Sequence, residues 1–363
     1  MKIRAFTTHK LAEHYSDCQD RFSIDQDTKS VALADGMSQS YQQKIWASLL
    51  VDTYTQNVEF VPNHAAIKEL SSQWTSRVEN FIDKLRQDSA PQYLIIMNEN
   101  ALAMHKSAGA TFLGIRFNGN KWEGDVLGDS CLIEIEDNQI KRILTSQQGN
   151  EFDSHPDYFD SDALKEGKGT PLQINGEVTN QTSIILVSDP FSDFLNEKKK
   201  EGKEEVYIKE LLSIETHDQY EESVARWRNT YGMHNDDSTL IIIEHDGSED
   251  FNCANIDDIQ SLISEEQKKQ EVLEQQKESS ETTQTIETTS SETQEEPTKD
   301  IEPIIDKPIE MPILENEFEK MFFDELHNQR KNSKKYKFLR KEPDDVLKKT
   351  LKAVYKKLNI TKK

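Results

Sequence analysis

The chain has 363 residues, of which only 34% are apolar and 31% are charged, with a formal net charge of -23. That balance excludes a tightly packed globule over the whole length, and it excludes general nucleic-acid binding by the main domain, because phosphates would be repelled. Cys18, Cys131 and Cys253 are widely spaced with no CxxC pair, which excludes a zinc or disulfide framework and points to a reducing compartment. The opening MKIRAFTTHKLAEH lacks a signal-like apolar run, and no later stretch approaches 18 consecutive apolar residues, so a soluble cytoplasmic protein is expected.

In chain order, a short strand RFSID follows Asp20, and SVALAD (30–35) is the first long β-like run. The stretch Gln42 to Asn57 then carries Ile45, Trp46, Leu49, Leu50 and Tyr54 on one helical face. Ala65 to Leu85 repeats Ile67, Leu70, Trp74, Val78, Phe81 and Leu85 with a period near 3.6, predicting one long helix. A third helix is predicted over about Gln92 to His105. After it come β-like runs at 111–117, 122–136, 183–189 and 238–246, rich in β-branched residues. Strands first and last, with long helices inserted between, predict an α+β domain of antiparallel sheets with helices packed outside them, spanning residues 1–248.

Composition changes near residue 250. Residues 249–310 form an acidic stretch rich in Ser, Thr, Glu and Gln, which cannot bury enough apolar surface to offset its ordering entropy and reads as a disordered linker. Its first part, Glu265 to Lys277, has the makings of a solvated helix. Residues 311–363 regain signals for a basic helical segment. Phe318, Met321, Phe322 and Leu326 form one short amphipathic helix, and Leu347, Leu351, Val354 and Leu358 form another behind Pro343. That tail could dock on the acidic body, on a protein partner or on nucleic acid, or it could be a solvated charged helix. Its short apolar faces without Trp argue against a membrane-surface role.

Acidic residues cluster at strand ends. Asp35 closes VALAD, Asp189 closes SIILVSD, Asp236 and Asp237 open STLIII, Asp129 sits in the GDS turn, and Asp20 precedes RFSID. Asp is common in turns, where it bonds nearby amides. Five strand ends each presenting Asp, with no His or Cys cluster, also suit hard cations such as magnesium or manganese better than zinc.

In order and spacing, the segments CQDRFSI (18–24), VALADGMSQS (31–40), SAGATFLG (107–114), VLGDSCLIEI (126–135), ILVSDPFSDFL (185–195) and NDDSTLIII (235–243) resemble the type 2C family of metal-dependent serine/threonine protein phosphatases. The resemblance covers about two-thirds of the chain. It implies a four-layer β-sandwich of two antiparallel sheets flanked by helices, with the metal site at one edge. By that resemblance Asp35 bridges two divalent ions and the Gly36 carbonyl adds a ligand. Asp189 and Asp236 bind the other ion, Asp20 lies in the site's shell, and Asp129 matches the position of a third, weaker ion. Asp193 orients Asp189, and Gln19 and Asp237 stand in the surrounding shell. Gly109, Ala110 and Thr111 read as a structural turn, and Cys18 as packing. The implied reaction is hydrolysis of phosphoserine and phosphothreonine on a protein by a water activated between two metals, opposing a Ser/Thr kinase or acting on its target.

The chain departs from the family pattern in three places. The Arg that commonly grips phosphate ahead of the first motif is missing, and His9 and His14 are the nearest candidates. A bacterial variant group with His ahead of a Cys-Gln-Asp motif resembles this chain, and His9 in TTHK is the better match. Gln19 stands where Glu is usual, and Pro190 follows Asp189 where Gly is usual, so the turn there is expected to differ. These departures leave a second reading open, a catalytically weak or inactive relative that binds a partner.

Overall fold

The computed structural model describes residues 1–147, 156–165, 167–248 and 250–272, all within one compact unit, Met1–Glu287. The expected basic tail at 311–363 and most of the expected linker lie outside the described residues.

Two sheets form the centre. In the six-stranded sheet the order is β13 (Asn252–Ile256), β1 (Lys2–Thr8), β12 (Ser238–Glu244), β11 (Thr182–Val187), β7 (Cys131–Glu136) and β8 (Gln139–Leu144). In the five-stranded sheet it is β10 (Leu172–Glu177), β6 (Lys121–Leu127), β5 (Phe112–Asn118), β3 (Ser30–Ala34) and β2 (Arg21–Asp25). A small third sheet pairs β4 (Gly109–Ala110) with β9 (Phe159–Asp160).

Alternation of side chains along the strands sorts the apolar residues into three cores. Ile3, Leu33, Ile115, Val126, Leu132, Leu186 and Ile241 meet between the two large sheets. The opposite faces of β7, β11 and β12 present Ile133, Ile185 and Ile242 to helices α5 (Asp189–Lys200), α6 (Glu204–Leu212) and α7 (His217–Tyr231). On the far side, Ala32, Ala34 and Phe112 pack against α1 (Gln43–Gln56), α3 (Ser71–Gln87) and α4 (Gln92–Ala103). The layers are therefore helices, sheet, sheet and helices, as expected. Trp46 ties one outer layer down: its ring is fully buried and its Nε1 donates to the Phe159 carbonyl at 2.9 Å. Burial of such a side chain stabilises by roughly 1.5–3 kcal/mol.

Four differences from the sequence reading have physical causes. The long helix predicted from Ala65 to Leu85 is two helices, α2 (His64–Glu69) and α3, meeting at Leu70, whose amide reaches back three residues to the Ile67 carbonyl and tightens the turn. The run 122–136 is two strands in different sheets. Gly128 at φ +105 turns the chain between them, a conformation that favours glycine. One sheet is not wholly antiparallel, because β13 runs parallel to β1. Finally, residues 250–272 are not disordered linker, and the boundary expected at 248 falls short. Phe251 packs edge-on against Phe117 at 5.3 Å, β13 joins the sheet, and a helix α8 occupies 259–272 behind Asp258. The Asp258 carboxylate accepts the Gln260 amide and the Ser261 hydroxyl, as a helix cap does.

Candidate metal centre

The sandwich brings the ends of β3 and β11 and the start of β12 to one edge, and each end carries an acidic residue. Asp35 follows β3, Asp189 follows β11, and Asp236 and Asp237 precede β12. Asp20 arrives just ahead of β2, and Asp129 sits in the turn where the chain crosses from β6 to β7. Carboxylates at 20, 35, 129, 189 and 236 therefore come together although up to 216 residues separate them in sequence.

Their electrostatics show how close they are. The surrounding protein, and then the negative charges of Asp20, Asp189, Asp129 and Asp236, hold the Asp35 carboxyl well above the usual range. Asp189 is raised in the same way by burial and by Asp129, Asp236 and Asp20. Burial first and Asp237 second push Asp20 up to about 7. Asp129 is pushed up to about 6, by burial and by Asp193 and Asp236. Taking an uncompensated carboxylate out of water costs several kcal/mol, so each of these groups requires a proton or a cation. Both carboxylate oxygens of Asp20 and one of Asp129 are buried without a hydrogen-bond partner. The hydroxyls of Ser188 and Thr239 near Asp20 only soften its rise. Among the described residues, no three His, Cys, Asp or Glu side chains converge tightly enough to make a preformed cage. Hard oxygen donors, orphaned and mutually repelling, nonetheless fit a divalent cation in kind.

Hydrogen bonds and strand pairing fix Asp35, Gly36 and Asp237. Thr111 clamps Asp35 from both sides of its peptide: its hydroxyl accepts the Asp35 amide at 3.1 Å, and its own amide donates to the Asp35 carbonyl at 2.9 Å. Residues 109–111 are thus structural as expected, but as a strand end and not a turn. Gly36 is held flat against Ala110, and a Cβ there would meet the Gln19 carbonyl at 3.1 Å. Asp237 accepts the amides of Lys10 (3.1 Å) and Gln19 (2.8 Å), which ties down the loop ahead of β2.

Asp189, just past the end of β11, is also a helix start. It opens α5, with Ser188 as cap and Pro190 in the first turn. An amide there has no intrahelical partner, so proline costs nothing, and the departure noted in the sequence is accommodated. Ser192, not Asp193, bonds Asp189, its hydroxyl donating to the Asp189 carbonyl at 2.9 Å. The charge of Asp193 acts on both Asp189 and Asp129, and His234 partly offsets it.

The structure does not bring His9 to the carboxylates. Its Nδ1 lies 2.7 Å from the Lys10 carbonyl oxygen, and its ring meets Tyr15 edge-on at 4.7 Å. It lines a separate cavity of about 580 Å³ with Glu221, Glu222 and Arg228. The cation at the centre is its neighbour Lys10, whose Nζ lies 2.9 Å from Asp236 Oδ1. Lys10 stands beside His9 in TTHK, but nothing local links it to a residue 226 positions away. Arg228 was also missed. It donates to the carbonyls of His9 (2.8 Å) and Asp236, and to the Ser238 hydroxyl at 2.9 Å. Cys18 is buried, and burial pushes its thiol far up, which suits packing and not nucleophilic chemistry. Among the described residues, no helix is long and apolar enough to cross a membrane.

The chain is thus a helix–sheet–sheet–helix sandwich with acidic residues gathered at one edge. The family model described as "Protein phosphatase 2C" matches residues 12–229, and the chain belongs to that family of metal-dependent serine/threonine protein phosphatases. Solved structures similar to it include the catalytic domain of the serine threonine protein phosphatase PstP in complex with 2 manganese ions, at 13% identity and TM-score 0.41, covering 67% of this chain and 96% of that one. The serine/threonine phosphatase Stp1 from Staphylococcus aureus is 16% identical at TM-score 0.43, covering 68% and 95%. PppA, a key regulatory component of T6SS in Pseudomonas aeruginosa, is 14% identical at TM-score 0.41, covering 67% and 98%. No curated protein matches the chain.

Proposed function

We propose that this chain hydrolyses phosphoserine and phosphothreonine on protein substrates at a centre of two divalent ions, manganese or magnesium. Asp35 and the Gly36 carbonyl would hold one ion, and Asp35, Asp189 and Asp236 would hold the other. Asp20 completes the shell, and Asp129, opposite Asp193, is the place for a weaker third ion. One observation carries the reading: the charges of Asp20, Asp129 and Asp236 converge on Asp35 and Asp189, and both Asp20 oxygens and one of Asp129 are buried without a hydrogen-bond partner. Bound there, the ions would neutralise phosphate oxygens and acidify a water molecule.

The chain's own residues supply position. Thr111 fixes the Asp35 backbone, Arg228 fixes that of Asp236, and Asp237 holds the loop that presents Gln19 and Asp20. The ammonium of Lys10 is the positive group best placed to meet a phosphate oxygen, in the role the sequence reading gave to His9. A cavity of about 460 Å³ opens beside Met37, lined by Tyr41, Lys106, Tyr158 and Lys165, and leaves room for the peptide around the phosphorylated residue. The substrate would be a phosphoprotein of the cytoplasm, produced by a Ser/Thr kinase, with the basic tail available for a protein partner.

The test is hydrolysis of a phosphopeptide and of p-nitrophenyl phosphate with added manganese. Asp35→Asn and Asp236→Asn are expected to abolish turnover of both. Turnover that survives both substitutions unchanged would overturn the two-metal assignment. The second reading, a partner-binding relative with little activity, is favoured by the Lys10–Asp236 ion pair, which uses one carboxylate without a metal. Its signature is an absence of manganese-dependent turnover by a folded chain.

A further inference from the structure

Residues 252–272 lie beyond the stretch matched by the family, yet they are bonded to a loop of the centre. On one side, the loop from His9 to Gln19 hangs from Asn235, Asp236 and Asp237 before β12. Asp237 takes the amides of Lys10 and Gln19, Asn235 Oδ1 takes that of Leu11 at 2.7 Å, and Lys10 Nζ reaches Asp236. On the other side, the loop is held by α8. Glu266 Oε2 accepts the Tyr15 amide at 3.0 Å, Glu266 Oε1 lies 2.9 Å from His14 Nδ1, and Gln270 Nε2 lies 3.2 Å from the same ring nitrogen. Below them, Asp257 Oδ2 accepts the Thr7 amide at 2.9 Å and pairs with His217 Nδ1 at 2.7 Å.

These contacts are not of equal weight. His14 is exposed, so its pairing with Glu266 is screened and contributes little. The Tyr15 amide belongs to a residue only 6% exposed, and an amide in that setting is expensive to leave unpartnered. Glu266 is thus the support that counts.

We propose that Glu266 is a positioning residue of the metal centre. Its carboxylate, through Tyr15, fixes the loop that sets Lys10, Gln19 and Asp20 against Asp236 and Asp237. The claim rests on the metal-dependent reading above. Through this contact helix α8 is coupled to the strength of metal binding.

The experiment uses the full-length chain and its Glu266→Ala, Glu266→Gln and Glu265→Ala variants, the last an exposed control on the same helix. Amide hydrogen exchange over residues 10–19 is compared with manganese affinity measured by calorimetry. Glu266→Ala is expected to speed exchange in the loop and to weaken manganese binding about fivefold, the worth of one such hydrogen bond. Glu266→Gln, which keeps an acceptor for the Tyr15 amide, should lie between, and Glu265→Ala should match the parent. Unchanged loop exchange in Glu266→Ala overturns the support, and faster exchange with unchanged affinity overturns the coupling. A parent chain that binds no manganese sinks the metal-dependent reading and the coupling with it, while exchange still decides whether Glu266 holds the loop.

Discussion

The ammonium of Lys10 lies 2.9 Å from one oxygen of Asp236, a residue that the family resemblance assigns to a metal. Burial alone would lower the lysine's pKa, but the hydrogen bond and charge of Asp236 outweigh it, and the net shift is upward. On the proposed two-ion reading, lysine and metal would compete for one carboxylate. Lys10→Met is expected to lower the metal-free stability by about 0.5–1 kcal/mol, the value of a partly exposed pair. It should also tighten manganese binding roughly two- to fivefold through the same competition. Thermal unfolding without metal and calorimetry with it read the two effects, and if neither moves the pair is inert.

Thr111 gives a second prediction. Its hydroxyl serves the part-buried Asp35 amide and also lies 3.0 Å from the buried Ser130 hydroxyl. Thr111→Val keeps the shape and strands the Asp35 amide, which should cost about 1–3 kcal/mol. Denaturant midpoints measure that loss, and weaker manganese binding should accompany it. Unaltered stability would mean that Asp35 is held by other means.

Gly36 offers a steric probe of the same strand end. An added Cβ would stand 2.9 Å from Gln43 Cγ and 3.1 Å from the Gln19 carbonyl. The glutamine side chain can swing away, whereas the carbonyl moves only with the loop that carries Asp20. Gly36→Ala is therefore expected to weaken manganese binding more than it lowers the unfolding temperature. Equal affinity in the variant would show that the loop gives way freely.

The network around His217 contributes to the pH dependence of stability. Burial would lower the pKa of His217, but its bonds to Asp257 and Glu221 raise it to about 9. A histidine raised in the folded state contributes stability that is fully present below its unfolded value near 6.5 and is lost as pH rises through 9. The contribution is about 1–3 kcal/mol, since a tenfold gain in proton affinity is worth about 1.4 kcal/mol and a partly exposed site is screened. Wild-type stability should therefore fall between pH 6.5 and 9, and His217→Asn should flatten that fall. A variant with the parental slope would assign the titration elsewhere.

Legibility from sequence follows the physics of each element. The helices α1 and α3 were readable because Trp46, Leu50, Trp74 and Val78 repeat at helical spacing on one face. The strand β1 was not, because Arg4 interrupts its apolar pattern. In the fold Arg4 is buried and its charge is met by Glu215 and Glu244 and by the Leu212 carbonyl. Helix α5 was hidden for a similar reason: DPFSDFLNEKKK shows one apolar face only once Pro190 is recognised as a first-turn residue. At the candidate site the acidic residues were legible because Asp closes or opens a strand in a fixed order along the chain. Lys10, Arg228 and Glu266 were not, since each acts on a partner brought near only by the sheet order, as with Arg228 on the carbonyl of His9.

The central claim is that this cluster of carboxylates holds divalent ions, and a manganese titration of the full-length chain followed by calorimetry tests it most directly. Saturable binding at submillimolar manganese, lost in Asp35→Asn while that variant stays folded, is the predicted result. An absence of binding up to millimolar manganese, or an identical isotherm for Asp35→Asn, would contradict it.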